Sequence, residues 1–204
     1  IKPNNNLIQT EVNGQVIAIT GAGGSIGSEI CRQLLNYKPK SLILIDNSET
    51  LLFKIDDELN SILKNYKKKY KLKLIPIIGS ISDRKRMDNV FSKYRPTIIY
   101  HAAAYKHVTL VENNATEGMR NNVFGTINLA DVAKRNNVNK FIFVSTDKAV
   151  RPTNVMGASK RVCEMYLQAL DHKLKNTAKS KIKFSIVRFG NVMDSSGSVV
   201  PLLK

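Results

Sequence analysis

Apolar residues along this 204-residue chain fall into two alternating patterns. Short continuous runs occur at "QVIAIT" (15–20), "SLILID" (41–46), "KLKLIPIIG" (71–79), "TIIYHAAA" (97–104), "KFIFVST" (140–146) and "KFSIVRFGN" (183–191). Their length and β-branched content predict six buried strands. Between them apolar residues recur at helical spacing. "SEICRQLLNY" puts Ile30, Leu34 and Leu35 on one face, and "ETLLFKIDDELNSILKNY", "DRKRMDNVFSKY" and a segment at about 115–136 read as further helices. "NVMGASKRVCEMYLQALDHKL" predicts a long helix with Val162, Met165, Tyr166 and Ala169 on its apolar face. Pro76 marks the third strand as irregular or near a sheet edge. Six strands alternating with helices predict an α/β fold: a doubly wound, Rossmann-like parallel sheet covered on both faces, with right-handed crossovers.

Such sheets bind ligands beyond the carboxyl ends of their strands. "TGAGGSIG", Asp46, "GSIS", "HAAAYKH", "STDK" and "FGNV" all follow strand ends and should share one rim. The first is a glycine turn between strand and helix. Gly21 allows a tight turn, Gly24 lets backbone N–H groups approach a pyrophosphate, and Gly27 lets the helix pack on the strand, with Ser25 and Ile26 between them. Asp46 closes the second strand about twenty residues on, where a carboxylate accepts both ribose hydroxyls and repels a 2′-phosphate. It therefore favours NAD over NADP. Ser80 and Ile81 are expected to line the adenine. Ala102, Ala103 and Ala104 are small enough to let a cofactor lie against the backbone, although helix packing would select the same residues.

The fifth strand ends in Thr146, Asp147 and Lys148. Asp147 serves as a general acid only if its pKa rises, and Lys148 as a base only if its pKa falls; burial does both. Met156 and Lys160 are four apart on one helix face. "MGASK" thus has the form of a Y-x-x-x-K catalytic helix with methionine, which carries no proton, in place of the phenol. Lys160 can reach the nicotinamide ribose.

Composition narrows the partners. The net charge is +16, with its densest cluster at "KNYKKKYKLK" (64–73). Few residues suited to reading bases surround that cluster, so we read a solvated basic edge and expect no nucleic acid. An anionic membrane surface or a phosphate-bearing ligand would also suit the charge. Cys31 and Cys163 read as buried free thiols, and His101, His107 and His172 have no ligand spacing, so no metal is expected. No leader and no membrane-spanning run is evident, and the chain as given reads as soluble.

"GAGGSIGSEICRQ", "HAAAYKHV", "NNVFGT" and "STDKAVRPTNVMGASKR" resemble the nucleotide-sugar 4,6-dehydratases of the polysaccharide-biosynthesis type, within the extended short-chain dehydrogenase/reductase superfamily. The methionine variant is similar to the large membrane-anchored UDP-N-acetylglucosamine 4,6-dehydratases. The resemblance implies tightly bound NAD, a UDP-sugar substrate and a 4-keto-6-deoxy product. It implies that Asp147 protonates the departing hydroxyl, Lys148 removes the carbon-5 proton and Thr146 holds the 4-hydroxyl. Asn122, grouped with the cofactor site, would brace the helix beside it; Lys106 and His107 would lie near the substrate, and Asn191 would contact the nucleotide diphosphate. Asp194 departs from the glycine more usual in "NVMDSSGSV". The implied layout is a linker at 1–14, an NAD-binding domain at 15–190 and the start of a substrate-binding region at 191–204. A membrane anchor would precede the chain, the catalytic domain would lie on the cytoplasmic face, and a homo-oligomer is common in the superfamily. An epimerase of the same superfamily and a non-catalytic nucleotide-binding module are the alternatives.

Overall fold

The computed structural model of the protein describes residues 4–65, 71–177, 181–190 and 192. Six parallel strands form one sheet: β1 Val16–Thr20, β2 Ser41–Asp46, β3 Lys73–Ile78, β4 Ile98–His101, β5 Lys140–Thr146 and β6 Lys183–Phe189, in the order β3-β2-β1-β4-β5-β6. The helices are α1 Asn5–Val12, α2 Ser25–Leu34, α3 Glu49–Asn65, α4 Arg84–Tyr94, α5 Val108–Asn113, α6 Ala115–Met119, α7 Gly125–Arg135 and α8 Val155–Thr177. This is the expected doubly wound arrangement, and the strand order reverses at β1.

Strand periodicity divides the core in two. Ile43 and Ile45 of β2 join Phe91, Leu129, Phe141, Phe143 and Leu167 on the face covered by α4, α7 and α8. Leu42 and Leu44 point the other way, onto Leu34, Leu52, Ile55 and Leu59 of α2 and α3. Every β2 residue is buried because both faces are covered. The second face is less covered over β5 and β6, where Ile142 and Val144 are half-buried and Val187 is exposed. Pro76 lies in β3, at the sheet edge, in register with Leu44; an edge position tolerates the lost N–H.

The structure corrects several expectations. The segment read as a linker contains α1, capped by the Asn4 side chain, which accepts from Leu7 N. Val12 is buried there, and Gln9 donates to the Tyr37 carbonyl. The fourth strand stops at His101, so Ala102–Ala104 belong to the following loop. The single helix expected at 115–136 is α6, a π turn at Arg120–Phe124, and α7. The face of α8 was inverted: Val162, Met165 and Ala169 are exposed, and Tyr166 is half-buried. The buried face carries Met156, Ser159, Lys160, Cys163, Glu164 and Leu167. Helical spacing identifies stripes, and the polar members of this one disguised it. Cys31 and Cys163 are buried free thiols, as expected.

Replacement of Leu167 by alanine is expected to cost about 2–5 kcal/mol, whereas Met165→Ala should stay within about 0.5 kcal/mol. Urea denaturation of the two variants checks which face of α8 supports the core.

Candidate active site

The crevice is set by the reversal of strand order. β1 pairs with β2 on one side and β4 on the other, so the loops leaving β1 and β4 cross over opposite faces of the sheet. The glycine turn fills that point. Gly21 has φ +68°, and a Cβ there would meet Ala103 N at 2.7 Å; a Cβ on Gly27 would fall 1.9 Å from the Gly21 carbonyl oxygen. The loop after β4, the turn and α2 can approach this closely only without those side chains. Gly24 precedes α2 as its N-cap, and its own N–H bonds to the Gly21 carbonyl.

Two cavities open on this rim. The larger, about 460 Å³, is lined by the turn from Gly21 to Gly27, with Ser25 and Ile26, and by Ala102, Ala104, Tyr105, Lys106 and His107. The smaller, about 140 Å³, is lined by Asp46, Ser80, Ile81 and Ala102–Ala104. Asp46 Oδ2 accepts from Gly23 N and Oδ1 from Ser48 N, each at 2.9 Å. The carboxylate is thereby oriented in advance, with acceptor capacity left on both oxygens for a ribose diol. Ser80 Oγ accepts from Ser82 N, and Ile81 turns its side chain into the core against Gly125. The donor-rich start of α2 suits a pyrophosphate. These residues fit NAD.

Thr146, Asp147 and Lys148 meet at the end of β5, where Asp147–Ala149 form a 3₁₀ turn. Asp147 Oδ1 accepts from Thr146 Oγ1 at 3.0 Å and from Lys148 Nζ at 3.3 Å. A Cβ on Gly157 would fall 2.3 Å from the Lys148 carbonyl oxygen, so that glycine lets the 3₁₀ turn sit against the first turn of α8. None of Thr146, Asp147, Lys148, Met156 or Lys160 lines either cavity. Thr146, Asp147 and Lys148 stand one strand further along the rim, at the end of β5. Asp147 is exposed, and the Thr146 hydroxyl, followed by Lys148, holds its carboxyl below the ordinary value against a smaller opposing effect of burial. That is the reverse of what an acid needs while the pair is uncovered.

Lys160 is buried. Its Nζ donates to the Val144 carbonyl at 2.9 Å and lies 4.6 Å from the centre of the Phe143 ring. Burial lowers its pKa to about 8, although Cys163 and Glu164 favour the charge. Asn122 does not reach the crevice. Its Oδ1 accepts from Tyr105 N, and its Nδ2 donates to the Tyr105 carbonyl and to Ser159 Oγ. It ties the Tyr105–His107 loop to α8 from behind, and the π turn places it there. Lys106 and His107 are exposed at the mouth of the larger cavity. Asn191 and Asp194 lie outside the described residues.

Two buried groups had not been singled out for these roles. Thr126 Oγ1 donates to the Asn122 carbonyl at 2.6 Å, so it accepts from His101 Nε2, and His101 Nδ1 accepts from Thr20 Oγ1 at 2.7 Å. Burial, then the Lys160 charge, pushes the His101 pKa well down, which keeps the imidazole neutral and leaves Nδ1 an acceptor. Glu164, with its side chain fully buried, accepts from Ser145 Oγ at 2.7 Å and is paired with Arg188 and Arg161. Burial alone would raise its pKa, but Arg188, Ser145 and Arg161 together hold it below the ordinary value. Glu164 thus joins the ends of β5 and β6 to α8 beside the Thr146–Lys148 turn. The available signals were a glutamate one turn beyond Lys160 and an arginine inside the sixth apolar run.

Comparison with known proteins places these features. The family model described as "Polysaccharide biosynthesis protein" matches residues 17–204. The capsular polysaccharide biosynthesis protein CapD of Staphylococcus aureus is 46% identical over 97% of this chain and 31% of its own length. A UDP-N-acetylglucosamine 4,6-dehydratase (inverting) of Campylobacter jejuni is 35% identical over 94% of the chain and 53% of its own length. Among solved structures, Pen from Bacillus thuringiensis superposes with a TM-score of 0.81 at 32% identity, covering 93% of this chain and 54% of that one. The chain therefore spans about a third to a half of the relatives it matches.

Two pH dependences follow from the buried charges. Because the folded-state pKa of Glu164 is depressed, its contribution is fully present above the ordinary carboxylate value of 4.5 and is lost as pH falls through the folded value. Glu164→Gln should cost about 2 kcal/mol at neutral pH, less than the roughly 3–5 kcal/mol of a fully buried pair because Arg188 is partly exposed, and should flatten the loss of stability in acid. Lys160 has the opposite consequence. Between about pH 8 and 10.5 the unfolded chain holds a proton that the folded chain has lost, so stability from this group rises with pH across that window. Lys160→Met should remove that rise, as read by urea denaturation across the range.

Proposed function

Because the chain belongs to the polysaccharide biosynthesis protein family, we propose that it forms the NAD-binding part of a UDP-N-acetylglucosamine 4,6-dehydratase. Its product would be a UDP-4-keto-6-deoxy sugar for surface glycan synthesis. The observation that carries this reading is the joined Thr146–Asp147–Lys148 set on the same rim as the glycine turn and Asp46. An epimerase needs no carbon-5 base, so an adjacent acid and amine at this strand end favour dehydration over epimerisation.

Bound in the crevice, NAD would supply reversible hydride acceptance, and the overall conversion needs no outside oxidant. The protein's residues would do the rest. Thr146 would hold the 4-hydroxyl. Once carbon 4 is a ketone, the carbon-5 proton is acidic and Lys148 would remove it. The C5–H electron pair forms the C5=C6 bond as the C6–O bond breaks, and Asp147 would protonate the departing oxygen so that water leaves. With the hydride taken from carbon 4 delivered to carbon 6, Lys148 would return a proton to carbon 5 and so complete the 4-keto-6-deoxy product. A sugar over this turn would displace solvent from Asp147 and raise its pKa toward that of a working acid. Lys106 and His107 would meet the substrate at the mouth of the larger cavity. Asn191 would contact its diphosphate. Met156 contributes no proton, so the 4-hydroxyl proton would leave through a water relayed by Thr146 or Lys160.

Cytoplasmic placement, a membrane anchor elsewhere in the protein and self-association are part of the same reading. No helix among the described residues is long and apolar enough to cross a membrane, so such an anchor would lie outside them.

Incubation of the full-length protein with UDP-N-acetylglucosamine in deuterated water tests the reaction. NMR should show a 4-keto-6-deoxy sugar with deuterium from solvent. Lys148→Met should lower turnover by about 10²–10⁴-fold, and Asp147→Asn should retain more carbon-5 exchange than water loss. A 4-epimer would establish the epimerase reading. Unchanged sugar alongside intact NAD binding would establish a binding module.

A further inference from the structure

The rim opposite the crevice is also chemically distinctive. Backbone bonds align the strand starts side by side: Lys73 N donates to the Lys40 carbonyl, Lys40 N to Gln15, Thr97 N to Val16, Asn139 N to Thr97 and Lys183 N to Asn139. Six strand starts at the usual spacing span about 24 Å. Lys38, Lys40, Lys73, Arg95 and Lys183 lie along this edge and are exposed, and Lys140 lies there half-buried. Lys140 is paired with Glu11. No ion pair among the described residues takes in Lys38, Lys40, Lys73 or Lys183.

The crevice rim differs. There Asp46, Glu49, Asp83, Glu112 and Asp147 lie among basic groups, so the two signs are mixed, whereas near the basic edge Glu11, Asp88 and Asp171 are each paired with a basic residue. Charge among the described residues is thus not spread evenly. Helix polarity accounts for only part of the asymmetry. The helices end on the basic rim and place basic residues in the last turns of α3, α4, α7 and α8. Each helix end offers about half a negative charge, too little to neutralise the lysines at the strand starts as well.

We infer that this basic edge is a docking face for an anionic phospholipid surface. Two observations favour lipid over nucleic acid. The charges at the strand starts are mostly lysines, compact point charges suited to mobile headgroups, whereas arginine forks and stacking side chains serve nucleic acids. Leu7 is 63% exposed on α1, which abuts the same edge through Gln9 to the Tyr37 carbonyl, next to Lys38. A bilayer interface accommodates both a row of lysines and a neighbouring leucine, while a nucleic acid duplex rewards only the charge. Docking by this edge turns the crevice away from the lipid, toward solution, where a water-soluble nucleotide sugar can enter.

The inference stands apart from the reaction proposed above, since vesicle binding reads the basic edge and product analysis reads the crevice. The test is co-sedimentation of the chain with vesicles of phosphatidylcholine, with and without phosphatidylglycerol. The chain should bind only the anionic vesicles and be released by salt. Replacing Lys38, Lys40, Lys73 and Lys183 together by alanine should weaken binding by about two to three orders of magnitude, from roughly five-fold per lysine. A variant with the same loss of charge at Lys54, Lys85, Arg120 and Arg151 should bind within a few-fold of the unaltered chain. On the unaltered chain, anionic vesicles should shield the four edge lysines from acetylation while Lys54 and Lys85 stay reactive. Equal weakening in both variants, equal shielding of all lysines, or preference for an RNA duplex over the vesicles in direct competition would overturn the inference.

Discussion

Parallel pairing of β1 with both β2 and β4 is the constraint on which the site depends. Chain leaving β1 must turn into α2 at once, while chain leaving β4 turns toward the other face. The gap between these departures is the crevice. Its width is set by backbone contacts rather than side chains, because Gly21, Ala103 and Gly27 approach to distances that no Cβ would allow. Asp46 then fastens the turn by accepting from Gly23 N, so the group suited to hold a ribose also fixes the loop suited to hold a pyrophosphate. A change at either end is felt at the other.

Behind the crevice, buried polar groups do what apolar contact cannot: they fix direction. His101 links Thr20 at the end of β1 to Thr126 of α7; Asn122 links the loop after β4 to α8; Glu164 links β5, β6 and α8. Each is satisfied by several partners, the condition under which a buried polar group does not destabilise the core. Together they hold four strand ends relative to α7 and α8. Apolar packing such as that of Leu167 fixes no direction, whereas Glu164 cannot move without breaking bonds to both neighbouring strands.

The six strands and their parallel arrangement were legible because a parallel sheet imposes continuous apolar runs, and "SLILID" and "KFIFVST" match β2 and β5 residue for residue. The glycine turn and Asp46 were legible because backbone geometry restricts those positions to few residue types. The buried side of α8 was not, because Lys160 and Glu164 interrupt it and a polar interruption reads as solvent exposure. The role of Asn122 was half legible. Its bracing bonds exist, but the π turn rotates it behind the wall, and no periodicity in the sequence announces a π turn. The helix at Asn5–Val12 was missed because three successive asparagines, from Asn4, read as loop until Asn4 is recognised as a cap.

In the proposed reaction the methionine in "MGASK" would shift the burden of proton transfer onto other groups, and the bare strand end leaves the Asp147 carboxyl ionised, the wrong way round for an acid. Met156 is buried, and its carbonyl accepts from Ser159 Oγ, which in turn accepts from Asn122; the position has become part of the brace. What remains nearby is an exposed carboxyl held ionised by Thr146 and an ammonium, Lys160, whose value near 8 leaves it mostly charged at neutral pH. An ionised carboxyl cannot donate a proton. Exclusion of water would raise the Asp147 carboxyl, whereas Lys160 is already buried and its value already lowered by that burial. Covering this turn with a bound sugar is therefore a chemical requirement of the proposed reaction as well as a matter of recognition. The catalytic protonation state would belong to the complex and not to the free chain.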